Sequence, residues 1–163
     1  MKKILLVLTF SLFLPYTIFA QTKTEAQAIF AKSTNYVNDF EKILTSSQIK
    51  NLNDFLKAGE TKTKTKITIV TTSSIAPYTN LTDYSSDFEK YLVSTLKIDS
   101  SILIVLSKQL RQIQIQGVNK LRPKMSDQEI KDIVSAYVLP ELKKGDYHKA
   151  LQEGAIQLIK KLE

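Results

Sequence analysis

Carboxylates are the side chains of this sequence that are best suited to chemistry, because few other reactive groups are present. The 163 residues include no cysteine and a single histidine, His148. Without cysteine the chain forms no disulfide, thiolate zinc site or cysteine nucleophile. One histidine argues against a Ser-His-Asp triad and a His-ligated zinc site, and we expect His148 to lie on a helix surface.

Asp39 is the first carboxylate to consider, since it lies between Asn38 and Phe40 shortly before a helix-start signal. It is either a turn residue or one ligand of a metal site assembled from distant parts of the chain, because Ca²⁺ takes oxygen ligands. Glycine-rich phosphate loops and phosphoaspartate motifs are absent. Hydrolysis of a phosphoester would therefore need carboxylate-held metal and an activated water, and no residue is identified as the general base.

Helix-start signals predict the helices that must position these carboxylates. The signals are Thr45, Asn80, Ser126 and the turn at residues 145–147. Thr45 and Ser126 each begin a capping box, because Gln48 and Glu129 follow three residues later. We expect Gly59 and the Thr-Lys run that follows it to end the helix that starts at Thr45.

Three strands are predicted between these helices. Residues 66–73 are rich in β-branched side chains, and the continuous apolar run at 100–107 is typical of a central strand buried on both faces. Residues 111–118 alternate, with Ile113 and Ile115 inward, as in an antiparallel hairpin strand. The elements predict an α/β fold: a three-layer α/β/α sandwich with a small mixed sheet, a βαβ unit plus an antiparallel hairpin strand, flanked by about four helices.

Residues 1–20 have the pattern of a signal peptide. A basic start, an apolar run and the small residue Ala20 predict cleavage before Gln21. The apolar run is shorter than the roughly 20 residues that span a bilayer, and an uncleaved anchor is the alternative. We therefore expect a periplasmic or secreted protein.

The rest of the chain is long enough for one domain with its own core. We expect a tether over residues 21–35 and the domain over residues 36–163, with no transmembrane segment in the mature chain. The formal charge of +7 falls by two, to +5, without Lys2 and Lys3. Export argues against a nucleic-acid partner, and the oligomeric state is left open.

Several short motifs, taken in order, resemble the TPM domain family. They are YVNDF…ILTSSQ, ITIVT, DSSILIVLS, QIQIQGV, MSDQEI and LPELKKGDY, and they extend from about residue 36 to residue 163. The family takes its name from a thylakoid luminal phosphatase, a photosystem repair protein and a nematode receptor-associated protein. The resemblance implies an exported or lumen-facing α/β domain; some members are reported to bind calcium, and acid phosphatase activity is attributed to a plant member.

The resemblance also implies a cation site. Asp39, Asp99 and Asp127 match acidic positions of the family pattern and are its predicted ligands, with Ca²⁺ as the expected ion. Asp99 and Asp127 are expected at one end of the sheet, and Asp39 joins them only if residues 39–44 run extended. Each carboxylate has a local alternative, since Asp127 suits a helix start and the other two suit turns.

The basic residues Lys120, Arg122 and Lys124 depart from the family pattern, whose corresponding loop is often glycine-rich and acidic. Their charge opposes a nearby cation. Three hypotheses remain: a weak calcium-binding module that acts through an envelope protein partner, a low-activity metal-dependent acid phosphatase, or a protein-interaction domain without metal. In the last case this basic loop is the predicted partner-binding surface.

Overall fold

The computed structural model of the protein describes residues 24–117 and 125–163. Its middle layer is a mixed sheet of four strands, in the order β1 (Val37–Asp39), β2 (Ile67–Thr71), β3 (Ile102–Ser107) and β4 (Gln112–Gln116). The first three strands are parallel, and β4 runs antiparallel to β3. The predicted βαβ unit and hairpin are therefore confirmed, and β1 extends the sheet by one strand.

Helices cover both faces of the sheet. They are α1 (24–30), α2 (Ser46–Thr63), α3 (Leu81–Ser94), α4 (Asp127–Ile133), α5 (Leu139–Lys144) and α6 (Tyr147–Leu162), with a π-helical turn, Val134–Val138, between α4 and α5. Ile69 and Ile104 pack into the core that α2, α4 and α6 close. Val70 and Val105 point the other way, into the core that α1 and α3 close. This is the predicted three-layer α/β/α sandwich.

The capping boxes begin α2 and α4 as predicted, with Thr45 bonded to Gln48 and Ser126 bonded to Glu129. The first helix ends within the predicted Thr-Lys run, at Thr63, but the predicted part of Gly59 in this end is wrong because α2 continues through it.

Gly59 serves helix packing. A Cβ atom at this position would overlap the side chain of Ile159 on α6. The missing side chain lets α2 and α6 approach each other, so this glycine marks a helix crossing and not a helix end.

Residues 24–30, which were expected to form part of a tether, are helical and belong to the domain core. Phe30 is buried, and its ring lies edge-on to the rings of Tyr84 at 5.3 Å and Phe88 at 4.6 Å. Ala26 is buried one turn earlier on the same helix face. The tether prediction was wrong here because a helix this short gives only a weak apolar periodicity.

The predicted signal peptide, residues 1–20, lies outside the described residues and stays a prediction. Among the helices that the structure describes, none combines the length and the apolar character needed to cross a bilayer.

The Glu129 carboxylate links α4 to α6 and makes part of the stability depend on pH. Hydrogen bonds from Lys161 and then from Ser126 lower the pKa of Glu129 to about 2. Its contribution is present above the unfolded pKa, about 4.3, and is lost as the pH falls through the folded value. We expect Glu129→Gln, which can still complete the capping box, to unfold at a lower temperature than wild type at neutral pH.

Thermal unfolding at several pH values checks this expectation. The difference between the two proteins should shrink on acidification and disappear below the folded pKa of about 2. A difference that stays constant with pH would show that the charge of Glu129 contributes nothing.

Candidate functional site

The carboxyl ends of the parallel strands lie at one edge of the sheet, which is where open α/β sheets usually bind ligands. Asp39 ends β1 and is in register with Thr71, the last residue of β2, which is in register with Leu106 of β3. We term these strand ends, with the loops that follow them, the carboxyl edge. Of the predicted site residues, Asp39 lies here.

Asp39 is bound by protein groups through both carboxylate oxygens. Its Oδ1 accepts hydrogen bonds from the Thr71 hydroxyl and from the N–H of Ile43 at 3.2 Å. Its Oδ2 accepts the N–H of Leu44 at 2.9 Å. These bonds hold residues 39–44 as a turn, so this segment does not take the extended path that would carry Asp39 toward the other predicted ligands.

Glu41 has a similar role, which no sequence pattern predicted. Its two oxygens accept the N–H groups of Lys108 at 2.9 Å and Gln109 at 2.8 Å, in the turn between β3 and β4. Its own N–H donates to the Thr71 hydroxyl at 3.1 Å. Asp39 and Glu41 therefore hold together the loops that follow three neighbouring strands.

Calcium would need further oxygen ligands beside Asp39, since the ion takes about 6–8 of them. The Asp39 carboxylate accepts two N–H groups and one O–H group, which use three of its roughly four lone-pair sites. These bonds show a structural role for Asp39, and cation binding by the same carboxylate stays a prediction.

The other two predicted ligands lie away from the carboxyl edge. Asp99 precedes β3. The first residue of β3, Ile102, pairs with Ile67 at the opposite ends of the parallel strands, where their amino termini lie. The length of β3, roughly 20 Å at about 3.3 Å per residue, therefore separates Asp99 from Asp39. Asp127 is the first residue of α4 and lines a cavity beside β4.

The structure thus does not bring Asp39 and Asp99 together. Within the described part of the chain, no group of three or more His, Cys, Asp or Glu side chains is placed to hold a metal ion. Cation binding by one or two of the three predicted aspartates stays a prediction.

His148 lies in the first turn of α6 and is half-buried, rather than lying openly on the helix surface as expected. Its Nε2 atom is buried and has no hydrogen-bond partner among the described residues. His148 takes part in none of the carboxyl-edge hydrogen bonds described above. It also does not line the cavity that Asp127 lines.

Lys120, Arg122 and Lys124 lie outside the described residues, so the predicted basic loop stays a prediction. A different basic surface is visible beside the end of β3, where a cavity of about 580 Å³ opens between the β3–β4 turn, α5 and the start of α6. We term it the cationic cavity. Its basic lining residues are Lys108, Arg111, Lys143 and Lys144, and its apolar ones are Leu106, Leu139, Leu142 and Tyr147.

No local sequence pattern predicted the cationic cavity. Its first two basic residues lie in a hairpin turn, and the other two lie more than thirty positions later on α5. The antiparallel turn after β3 brings the two pairs to the same side of the sheet. The cavity could therefore have been predicted only by placing the hairpin turn and α5 together.

Comparisons with known proteins agree with the fold. The profile of the TPM domain matches residues 37–161. A comparison with curated proteins gives no match.

Solved structures from three bacteria are similar to this chain. The N-terminal domain of a P. gingivalis protein has a TM-score of 0.69 at 24% identity, covering 83% of this chain and 86% of that chain. The BA42 protein of Bizionia argentinensis has a TM-score of 0.61 at 19% identity, covering 76% and 83%. The N-terminal domain of a Corynebacterium glutamicum protein has a TM-score of 0.61 at 14% identity, covering 99% and 88%. At these identities the likeness shows the fold alone.

Proposed function

The chain belongs to the TPM domain family, and on that premise we propose that it is an interaction module, which acts by binding another protein and catalyses no reaction. The hydrogen bonds that Asp39 and Glu41 accept support this proposal. Both carboxylates lie at the edge of the sheet where an α/β enzyme would place catalytic groups, and both are engaged by backbone N–H groups.

A metal-dependent phosphatase needs carboxylate oxygens that are free to hold an ion or to accept a proton from water. Asp39 accepts three hydrogen bonds from protein groups, and Glu41 accepts two. Their oxygens are directed at loops of the domain and stabilise its shape. A stable shape with fixed loops is what a binding module requires.

We propose the cell envelope, or the space outside the cell, as the place of action. The signal-peptide pattern of residues 1–20 supports this part of the proposal. The partner is then an envelope or secreted protein. If the protein recovered from its native cells still begins at Met1, this would contradict cleavage of the signal peptide.

Phosphate release distinguishes the interaction module from the phosphatase alternative. We expect the purified protein to release no phosphate from p-nitrophenyl phosphate, at acidic or neutral pH, with Ca²⁺, Mg²⁺ or EDTA. Release that EDTA abolishes and Asp99→Asn removes would overturn the proposal and favour the enzyme. Asp54→Asn is the matched control, since Asp54 is an exposed aspartate whose ion pair is with Lys50 on the same helix.

A further inference from the structure

We propose that the cationic cavity is the partner-binding site and that it receives an acidic segment of the partner protein. Carboxylates of this segment pair with Arg111 and Lys143, and apolar side chains beside them lie against the wall of the cavity. The inference rests on the proposed interaction function and names its site and its ligand class.

The charges of the cavity are only partly balanced. Lys144 pairs with Glu141 at 2.9 Å, and the Nζ of Lys108 lies over the Tyr147 ring at 5.4 Å. Arg111 and Lys143 form no ion pair with a carboxylate in the part of the chain that the structure describes. Like charges gathered in a concave surface focus a positive potential, which attracts an anionic group.

The acidic residues next to the cavity are occupied. Glu41 bonds the backbone of the β3–β4 turn through both oxygens. Asp146 caps α6 by accepting the N–H of Lys149 at 2.9 Å. These two carboxylates weaken the positive potential but leave Arg111 and Lys143 as the cations that an incoming carboxylate can pair with.

Arg111 is placed at the cavity by an unfavourable backbone conformation. Its φ is 54°, in the left-handed region where Gly and Asn are preferred, and its N–H bonds the Lys108 carbonyl at 3.2 Å to close the turn. Arginine at such a position costs free energy relative to glycine. The turn places the guanidinium group of Arg111 at the cavity, and this group suits bidentate pairing with a carboxylate.

The apolar wall decides between a simple anion and an acidic protein segment. Leu139 is 38% exposed and lines the cavity, and Leu110, beside Arg111 in the turn, is 37% exposed. A small hydrophilic anion would leave these side chains in water. A segment that carries both carboxylates and apolar side chains would cover them and gain from their burial.

The shape of the site favours a protein segment over a membrane surface. A cavity of about 580 Å³ is as large as small-molecule and cofactor sites, which have about 300–1,000 Å³, so it has room for side chains of a bound segment. Lipid headgroups form a broad surface, which contacts protruding residues better than recessed ones. The walls are also held in place, by Glu41 at the hairpin turn and by the Asp146 cap of α6, so little order has to be gained on binding.

The test measures binding of a fluorescein-labelled peptide of glutamates with two leucines between them, by fluorescence anisotropy with the purified protein. A second peptide has glutamine in place of every glutamate. We expect the acidic peptide alone to bind, with an affinity that falls as salt is added. Arg111→Glu and Lys143→Glu should each weaken binding about tenfold or more, because each brings like charges together.

The control is Lys57→Glu, which makes the same change in net charge at an exposed residue outside the cavity. It should leave the affinity unchanged apart from a small long-range effect. If a reversed variant unfolds at a lower temperature than wild type, Arg111→Gln and Lys143→Gln replace it, and a several-fold loss is expected.

Each other outcome overturns the inference in a distinct way. Equal binding to wild type and to both reversed variants would move the site elsewhere and leave the interaction function standing. Binding to phosphatidylglycerol vesicles but not to the peptide would make a membrane the occupant. Binding to neither would remove the cavity as a site, whereas the phosphatase alternative is decided separately by phosphate release.

Discussion

Replacing Asp39 by asparagine should destabilise the domain by about 1–3 kcal/mol, with EDTA present as well as with calcium. Asparagine keeps the shape of the side chain but replaces one acceptor oxygen with an NH₂ group. At least one of three donors, the Thr71 hydroxyl and the N–H groups of Ile43 and Leu44, then loses its acceptor. The hydrogen bonds that close the loop between β1 and α2 are then incomplete.

Thermal unfolding in EDTA and in millimolar Ca²⁺ measures this effect and also tests calcium binding. For a domain of this size the expected change is a fall of several degrees in Tm. The gap between wild type and Asp39→Asn should be the same in both buffers. A calcium ligand would behave differently, because an ion at 100 times its Kd adds about 2.7 kcal/mol to the wild type and nothing to the variant.

A gap in Tm that appears only with calcium would therefore contradict the structural role of Asp39 and support Asp39 as a calcium ligand. Asp54→Asn is again the control, since surface ion pairs such as Asp54–Lys50 contribute about 0–1 kcal/mol. A calcium-dependent rise in Tm that Asp99→Asn abolishes, while Asp39→Asn does not, would support a cation site at the opposite edge of the sheet.

Gly117→Ala should destabilise the domain by about 2–4 kcal/mol. Gly117 follows β4 with φ of 95°, a conformation that alanine rarely adopts, and a Cβ atom there would overlap the backbone carbonyl of Ser101. The Ser101 backbone cannot easily move away, because its N–H and that of Ile102 both bond the Lys66 carbonyl at 3.0 Å. The clash therefore disturbs the pairing of three strands.

Gly145→Ala is the control for Gly117→Ala. It distinguishes the cost of the backbone conformation from the cost of the clash with Ser101. Gly145 has a similar φ of 80°, but nothing lies within 4 Å of the position that a Cβ atom would take. We expect a loss of about 1 kcal/mol there. Urea unfolding of both variants gives the comparison, and equal losses at the two glycines would mean that contact with Ser101 is relieved at no cost.

Local hydrogen-bond patterns made the helix starts predictable. Thr45 with Gln48 and Ser126 with Glu129 lie three residues apart, so each pair satisfies its own backbone donors whatever the rest of the chain does. Strand β3 was predictable for a related reason, since six successive buried residues require a position between two layers.

Strand β1 was missed because its sequence, VND, has little preference for a strand. Its extended form depends on pairing with β2, which places Val37 opposite Ile69. The buried side chain of Asn38 is satisfied by Thr34, whose hydroxyl and carbonyl it contacts at 3.2 Å. Tertiary pairing of this kind overrides local preference, and a three-residue strand gives no periodicity from which to infer it.

Individual residues of the site could be predicted from the sequence, but their arrangement could not. Asp39 was identified as either a turn residue or a metal ligand, and the structure shows the turn bonds while cation binding stays untested. Glu41 was missed because its acceptor role depends on the turn after β3, over sixty residues later. The cationic cavity was missed for the same reason, since its basic residues meet only after the hairpin and α5 have packed.

The burial of Phe30 has a consequence for the order in which the protein is made. Its ring contacts are Tyr84 and Phe88 on α3, more than fifty residues further along the chain. The core on that face of the sheet cannot close until more than half of the chain has been synthesised. During that interval the apolar side chains of Ala26 and Phe30 are exposed, and they are open to chaperones that meet the chain first.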